Sequence, residues 1–575
     1  MINRYNPNET LWERWSLNAA LFPDKEAIVH WDAEAEPFRW TFSHLLSSAE
    51  KYALALKHMG IRKGDVCAII MRHNAQFYPL YLSIASIGAI PAVLAYPNGR
   101  LHPEKFRQGL EGMAKHSGLD WIMTERDIEP IISSLTVGQN SAIRGILFPL
   151  EFHAETPVNN DEYREILNTR ANMKPDDPFL LQHSSGTTGL QKPVLLTHRE
   201  ILLHISNYSD AIRLTDSDKI ASWLPLYHDM GLIAAFQMPL ASGITTIQID
   251  PFQWVMVPEI LLDAISKEKA TLAWLPNFAF NLMADKIRTE DLEEISLESV
   301  RMLINCSEPV RYDSFVKFLE SFQHLGITKE KFGASYGMAE ITFSATQTEP
   351  GMQPRHFSAD RQMLSKGVVQ IAGTDSQQVV RECVSSGKPI KGTIIKILGE
   401  NGQELPEGMV GEIAIKSETV FQGYRNYPEK TAEVLKDGWY YSGDYGFILD
   451  GFIYAIGRKK DIIIVAGNNI YPEDVEDAVL QADGVIPGRV IAFGEEDPSI
   501  GSEQISVIAE SNLTDPESLK KLRLEIVRTG MQIDVTIKNV YIVPPRWLIK
   551  SSAGKPARKA NMERILKSKE EVLWG

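Results

Sequence analysis

The chain has 575 residues, of which 44% are hydrophobic and 23% charged, with a formal net charge of -15. That length exceeds a single compact core and implies two or more domains, and the acidic balance argues against nucleic acid or an anionic membrane as a default partner. Three cysteines, Cys67, Cys306 and Cys383, with no CxxC pair, argue against a disulfide framework or a zinc site and fit a reducing, cytoplasmic setting.

The N-terminus, Met1 to Trp15, shows no apolar leader. Val66 to Met71 reads as a strand. Phe77 to Tyr96 carries no charge and is long enough to cross a bilayer, but Pro79, Gly88 and Pro91 interrupt it, so a buried helix running into a buried strand is expected and stable membrane insertion is not. Further apolar runs at Trp121–Met123, Ile146–Phe148, Ile220–Trp223, Thr245–Ile249 and Arg301–Asn305 alternate with helical patterns. The alternation predicts an α/β fold whose large N-terminal domain holds mainly parallel sheets flanked by helices. From about Val384, turn signals such as Glu400-Asn401-Gly402 and Glu407-Gly408 separate short apolar runs and predict a small β-rich subdomain. The charged stretch Gly457 to Asp461 is a hinge candidate. Past it, Ile462–Ala466 reads as a strand and Tyr471-Pro472-Glu473-Asp474 opens a helix. The expected division is therefore 1–459 and 460–575, the second a small α/β C-terminal domain.

The strongest local signal follows the strand-like Phe179-Leu180-Leu181. Ser184, Ser185, Gly186, Thr187, Thr188 and Gly189 lead through Leu190 and Gln191 to Lys192-Pro193. Two glycines let the backbone point its N–H groups at one anion, four hydroxyls add donors, and Lys192 adds charge. A polyphosphate cradle is the reading; a polar turn is the alternative. The Walker A pattern is absent.

This loop resembles the nucleotide loop of the adenylate-forming superfamily of acyl-CoA synthetases, luciferases and peptide-synthetase adenylation domains. The likeness continues in order along the chain. Ser335, Tyr336, Gly337, Met338, Ala339 and Glu340 resemble the adenine and magnesium motif, and Tyr441 to Asp444 the ribose motif. Gly457, Arg458 and Asp461 resemble the hinge motif, and Gly554-Lys555 the C-terminal lysine motif. The resemblance implies ATP and Mg²⁺ as cofactors, with Thr188 and Glu340 sharing the metal, Tyr336 stacking on adenine, Asp444 accepting from ribose hydroxyls, and Arg458 reaching ribose or phosphate. It also implies that Lys555 steadies charge as a carboxylate attacks the α-phosphate, and that the C-terminal domain is mobile, rotating about Lys460 between two half-reactions.

Three further segments resemble the fatty acyl-AMP ligase branch. They are Trp223 to Leu232, which supplies His228 as a catalytic candidate; Leu275 to Phe280; and Asn305 to Val310, which places Ser307, Glu308 and Pro309 beside the nucleotide. Their apolar surroundings, Ala234, Phe236, Met238, Trp274 and Phe280, suit either an acyl channel or an ordinary core. The segment from about 353 to 386 resembles the insertion that sets this branch apart from acyl-CoA synthetases. One departure is Asn468, where that branch often carries arginine. The reading is a ligase that makes a fatty acyl adenylate and passes the acyl group to the phosphopantetheine of an acyl carrier protein acting in trans. The alternatives are a fatty acyl-CoA synthetase using free CoA, a stand-alone amino-acid adenylating enzyme with Asp229 facing the ammonium group, and a nucleotide-binding module without catalysis. The basic run Arg546 to Lys569 is either a solvated helix face or a docking face for an acidic carrier.

Overall fold

The computed structural model describes residues 6–33, 35–97, 103–136, 143–152, 160–183, 191–292, 294–373, 379–465, 468–497, 502–550, 556–567 and 572–574. Its centre is a nine-stranded sheet. Six strands run parallel: Phe332–Gly337, Met302–Asn305, Leu272–Leu275, Lys219–Ser222, Thr245–Ile249 and Glu26–Trp31. Antiparallel strands close both edges, Ser344–Gln347 with Lys388–Pro389 on one side and Phe38–Thr41 on the other. The inner strands Leu272–Leu275 and Met302–Asn305 are buried at every position, the expected consequence of helices covering both faces.

A second, four-stranded parallel sheet is built from Ile90–Val93, Val66–Ile70, Trp121–Thr124 and Gly145–Leu147. The uncharged stretch expected to be helix then strand is helix Phe77–Ser86 followed by strand Ile90–Val93, both fully buried. Among the described residues no helix is long and apolar enough to cross a membrane. The β-rich subdomain is antiparallel, with Thr393–Leu398, Gly411–Ser417, Trp439–Leu449 and Phe452–Arg458 hydrogen-bonded in that order.

Beyond the short turn Lys459–Asp461 lies a smaller α/β unit. Strands Val485–Asp497, Ser502–Ser511 and Ile537–Val543 form its three-stranded sheet, and helices Pro472–Val479 and Pro516–Gln532 pack on it. It has a hydrophobic cluster of its own, from Ile463 through Val507 to Ile542, distinct from the cluster that fills the main body.

Candidate active site

The parallel strands of the large sheet end at one edge, and the segments singled out in the sequence follow those ends. Trp223–Leu232 follows Lys219–Ser222, Pro276–Phe280 follows Leu272–Leu275, Cys306–Pro309 follows Met302–Asn305, and Met338–Glu340 follows Phe332–Gly337. Ligands of open α/β sheets bind in this position, outside the carboxyl ends of the strands.

Glu340 sits in a short turn, Ala339–Ile341, and is almost fully buried. Its carboxylate accepts a hydrogen bond of 2.7 Å from the Tyr424 hydroxyl, and its carbonyl accepts from Phe421 N–H at 2.8 Å. Lys192 stands over the Tyr424 ring, 4.9 Å from its centroid, with Nζ 3.4 Å from the hydroxyl. Burial pushes the Glu340 carboxyl above the usual carboxylate range; the Tyr424 bond and Lys192 oppose the shift without cancelling it. The sequence reading missed Tyr424. Only the fold brings it to a carboxylate 84 residues earlier.

Ser335 and Tyr336 lie in strand Phe332–Gly337. The Ser335 hydroxyl is 2.7 Å from that of Ser344, and the Tyr336 hydroxyl donates to Asp444 at 2.8 Å. Arg458 is paired with Asp444 across the hairpin, its Nε 3.6 Å from the carboxylate. Gly337 is required sterically, because a Cβ there would lie 1.8 Å from the Phe343 carbonyl oxygen. Met338 continues in extended backbone to the Glu340 turn. Lys460 is near enough to feel Arg458, Lys192 and Asp444; burial and then Arg458 lower its pKa.

His228 and Asp229 form a pair, Nδ1 to carboxylate 2.6 Å, and Asp229 also accepts from Met230 N–H at 2.8 Å. The carboxylate proposed for an amino-acid ammonium group is thus already engaged by a ring and a helix start. Gly231 is tight against the preceding turn, with the Pro225 carbonyl oxygen 2.4 Å from where a Cβ would stand. Ser307 adopts φ of 80° and its hydroxyl approaches Met230 sulfur at 3.6 Å. Glu308 accepts from Phe278 N–H at 2.8 Å, and Pro309 is exposed beside it. Ala234, Phe236, Met238, Trp274 and Phe280 are all buried. Phe236 packs against Tyr78 and Tyr81, and Phe280 against Phe315 and Phe318, so these two rings belong to the core. The aromatic group beside the site is instead Trp223 stacked on Trp254 at 3.5 Å, with Phe278 edge-on to both.

Ser184, Ser185, Gly186, Thr187, Thr188, Gly189 and Lys555 lie outside the described residues. Their flanks are described. Strand Pro178–His183 leads in, strand Pro193–Thr197 leads out, and a Thr197–Glu200 capping box starts helix His198–Ala211.

The segment 353–386 forms a hairpin, His356–Asp360 with Val380–Val384, and a short helix Arg361–Ser365. His356 stacks on Tyr312 at 3.5 Å. Arg361 and Arg381 each approach the buried carboxylate of Asp474 at 3.1 Å, and Arg311 pairs with Asp477. Asp474 and Asp477 stand on helix Pro472–Val479, the first helix past the hinge candidate. Three arginines of the main body therefore grip one helix of the small unit.

The family model of the AMP-binding enzymes matches residues 15–425. A Caulobacter vibrioides protein provisionally named an acyl-CoA synthetase is 28% identical over 90% of this chain and 88% of its own length. The long-chain-fatty-acid–AMP ligase FadD32 of Mycolicibacterium smegmatis is 26% identical over 89% of this chain and 87% of its own. A solved structure from work on the fatty acyl-adenylate ligases of E. coli and L. pneumophila superposes with a TM-score of 0.87 at 26% identity, covering 97% of this chain and 98% of that one.

Proposed function

The chain belongs to the AMP-binding enzyme family, and we propose on that footing that it is a fatty acyl-AMP ligase that passes its acyl group to a carrier protein. The observation that carries this reading is the grip of Arg361 and Arg381 on Asp474. It ties the 353–386 segment to the helix past the hinge, which favours a carrier-borne thiol over free CoA as acceptor.

In this proposal a fatty-acid carboxylate oxygen attacks the α-phosphorus of ATP and the bond to pyrophosphate breaks. The phosphates lie on Ser184 to Gly189 with Lys192 and Lys555 countering their charge. Tyr336 packs on adenine, with Ser307, Glu308, Pro309, Ser335, Gly337 and Met338 forming the surrounding wall. Asp444 accepts from the ribose hydroxyls and Arg458 donates beside it. A buried carboxylate whose side-chain hydrogen bond comes from a phenol is a fitting ligand for a divalent cation, since Mg²⁺ takes one or two carboxylates together with phosphate oxygens. Glu340 and Thr188 would hold it, and it would neutralise charge on the triphosphate. His228, its ring held by Asp229, faces the acyl end. A carrier phosphopantetheine thiol then attacks the acyl-adenylate carbonyl, and AMP leaves. We take 1–459 as the body and 460–575 as the part that turns about Lys460 between the steps.

The test offers a series of fatty acids with ATP and Mg²⁺ and either free CoA or a phosphopantetheinylated carrier. Acyl-AMP that persists with CoA and is consumed by the carrier is the expected result. Rapid acyl-CoA formation would make the protein a synthetase instead.

A further inference from the structure

Helix Pro516–Gln532 is two-faced. Leu519, Leu522, Ile526, Thr529 and Gly530 are buried, and a Cβ on Gly530 would lie 2.8 Å from Ile537, so this face is seated closely on its sheet. The opposite face is in solvent and carries Lys520, Lys521, Leu524, Arg528 and Met531. Leu524 is 57% and Met531 61% exposed. Positions 520, 524 and 528 follow the four-residue repeat that lines one helical face, and the two apolar side chains stand about 10 Å apart along the axis. Among the described residues no ion pair engages Lys520, Lys521, Arg523 or Arg528. Lys520, Lys521, Arg528 and the half-buried Arg523 outnumber Glu517 and Glu525 on this helix, a local excess of positive charge around two exposed apolar side chains in a chain of net charge -15.

The basic tail helix Arg558–Lys567 is different. Arg558 donates to Asp461 and Glu476, both at 2.8 Å. Arg564 lies over the Trp547 ring at 4.2 Å and donates to its carbonyl at 2.6 Å. Lys567 pairs with Glu563 at 3.6 Å. Arg558 and Arg564 are thus tied to their own unit, while Lys559 and Lys567 stay exposed.

We propose that the exposed face of helix Pro516–Gln532, centred on Lys520, Leu524, Arg528 and Met531, docks the acidic carrier protein that receives the acyl group. The inference rests on the carrier-dependent reading above. Charge complementarity selects the occupant: an acidic carrier with an anionic phosphodiester arm meets a cationic face with a small apolar centre. A membrane is a poorer fit, because two isolated apolar side chains bury little area and the body as a whole is repelled by anionic lipid.

The test compares wild type with the Lys520→Glu/Arg528→Glu double variant and with Lys520→Arg/Arg528→Lys, which keeps the charge. Pyrophosphate exchange reports adenylation, and single-turnover transfer to a phosphopantetheinylated type II acyl carrier protein reports docking. Charge reversal should raise the carrier KM about tenfold or more with exchange unchanged, and the charge-keeping variant should match wild type. An unchanged carrier KM overturns the proposal. So does an equal fall in exchange, which would mean the face serves folding or adenylation. Loss of binding to anionic vesicles with carrier KM intact would assign the helix to a membrane. If wild type makes acyl-AMP but acylates no carrier, the carrier-dependent reading itself fails and the docking face with it, a result visible without any variant.

Discussion

Two buried carboxylates stand on either side of the hinge candidate, and they are satisfied in opposite ways. Asp474 lies between Arg361 and Arg381, each at 3.1 Å, so its charge is neutralised twice over within the protein. Glu340 receives one phenolic hydrogen bond from Tyr424 at 2.7 Å, with Lys192 beyond the ring. Burial raises its pKa, and Tyr424 and Lys192 offset that cost only in part. A carboxylate matched by arginines holds two parts together. One left short of positive charge is poised to gain stability from a cation brought by the substrate. The contrast separates a residue that fixes geometry from one suited to chemistry.

The largest effect should come from removing the under-compensated charge. Glu340→Gln is expected to lower the rate of acyl-AMP formation by about a hundredfold or more, in the range found when a charge-stabilising group is deleted from an active site. The fold should move the other way. The Glu340 carboxyl has a folded pKa above its unfolded value. Its favourable contribution is therefore present at low pH and is lost as pH rises through the folded pKa. The ligand-free Glu340→Gln protein should then melt higher than wild type, with a larger gain at pH 8 than at pH 5. A lower Tm at pH 8 would show that Glu340 is structural like Asp474.

Asp474→Ala tests the other side. It leaves Arg361 and Arg381 facing each other in a buried seam, and breaking such a pair costs about 3–5 kcal/mol. Limited proteolysis near Lys460 should accelerate, Tm should fall, and acyl-AMP formation should drop by less than in Glu340→Gln. If the seam is what disfavours free CoA, the variant should also form more acyl-CoA. Unchanged proteolysis would mean that the arginines do not hold the small unit.

The sequence is uneven as a guide to these two regions. The alternation of apolar runs predicted the parallel sheets, and every strand-like run named from it overlaps a strand, because buried parallel strands must be apolar throughout. Glu340, Tyr336 and Asp444 could be named because their motifs are local. The seam could not, since Arg311 pairs with Asp477 across 166 residues and nothing in either segment names the other. The acyl-channel residues illustrate a different limit. Phe236 and Phe280 are core rings, and apolar composition reads alike for a channel wall and a core. The basic tail shows a related limit, since a count of arginines does not reveal that Arg558 faces Asp461 and Glu476.

Tyr424→Phe gives the smallest effect and the sharpest form of the contrast. It removes the one side-chain donor recorded on the Glu340 carboxylate among the described residues while leaving the ring under Lys192. A hydrogen bond to an ionised group contributes about 1.5–3 kcal/mol, and much of this should return when a cation occupies the site. Adenylation at pH 8 should therefore fall only several-fold. The acid limb of the pH–rate profile should shift upward, because the ionised carboxylate has lost a partner that favoured it. In Asp474→Ala the same limb should stay where it is in wild type. Matching shifts in both variants would mean that the limb reports opening of the seam rather than ionisation of Glu340.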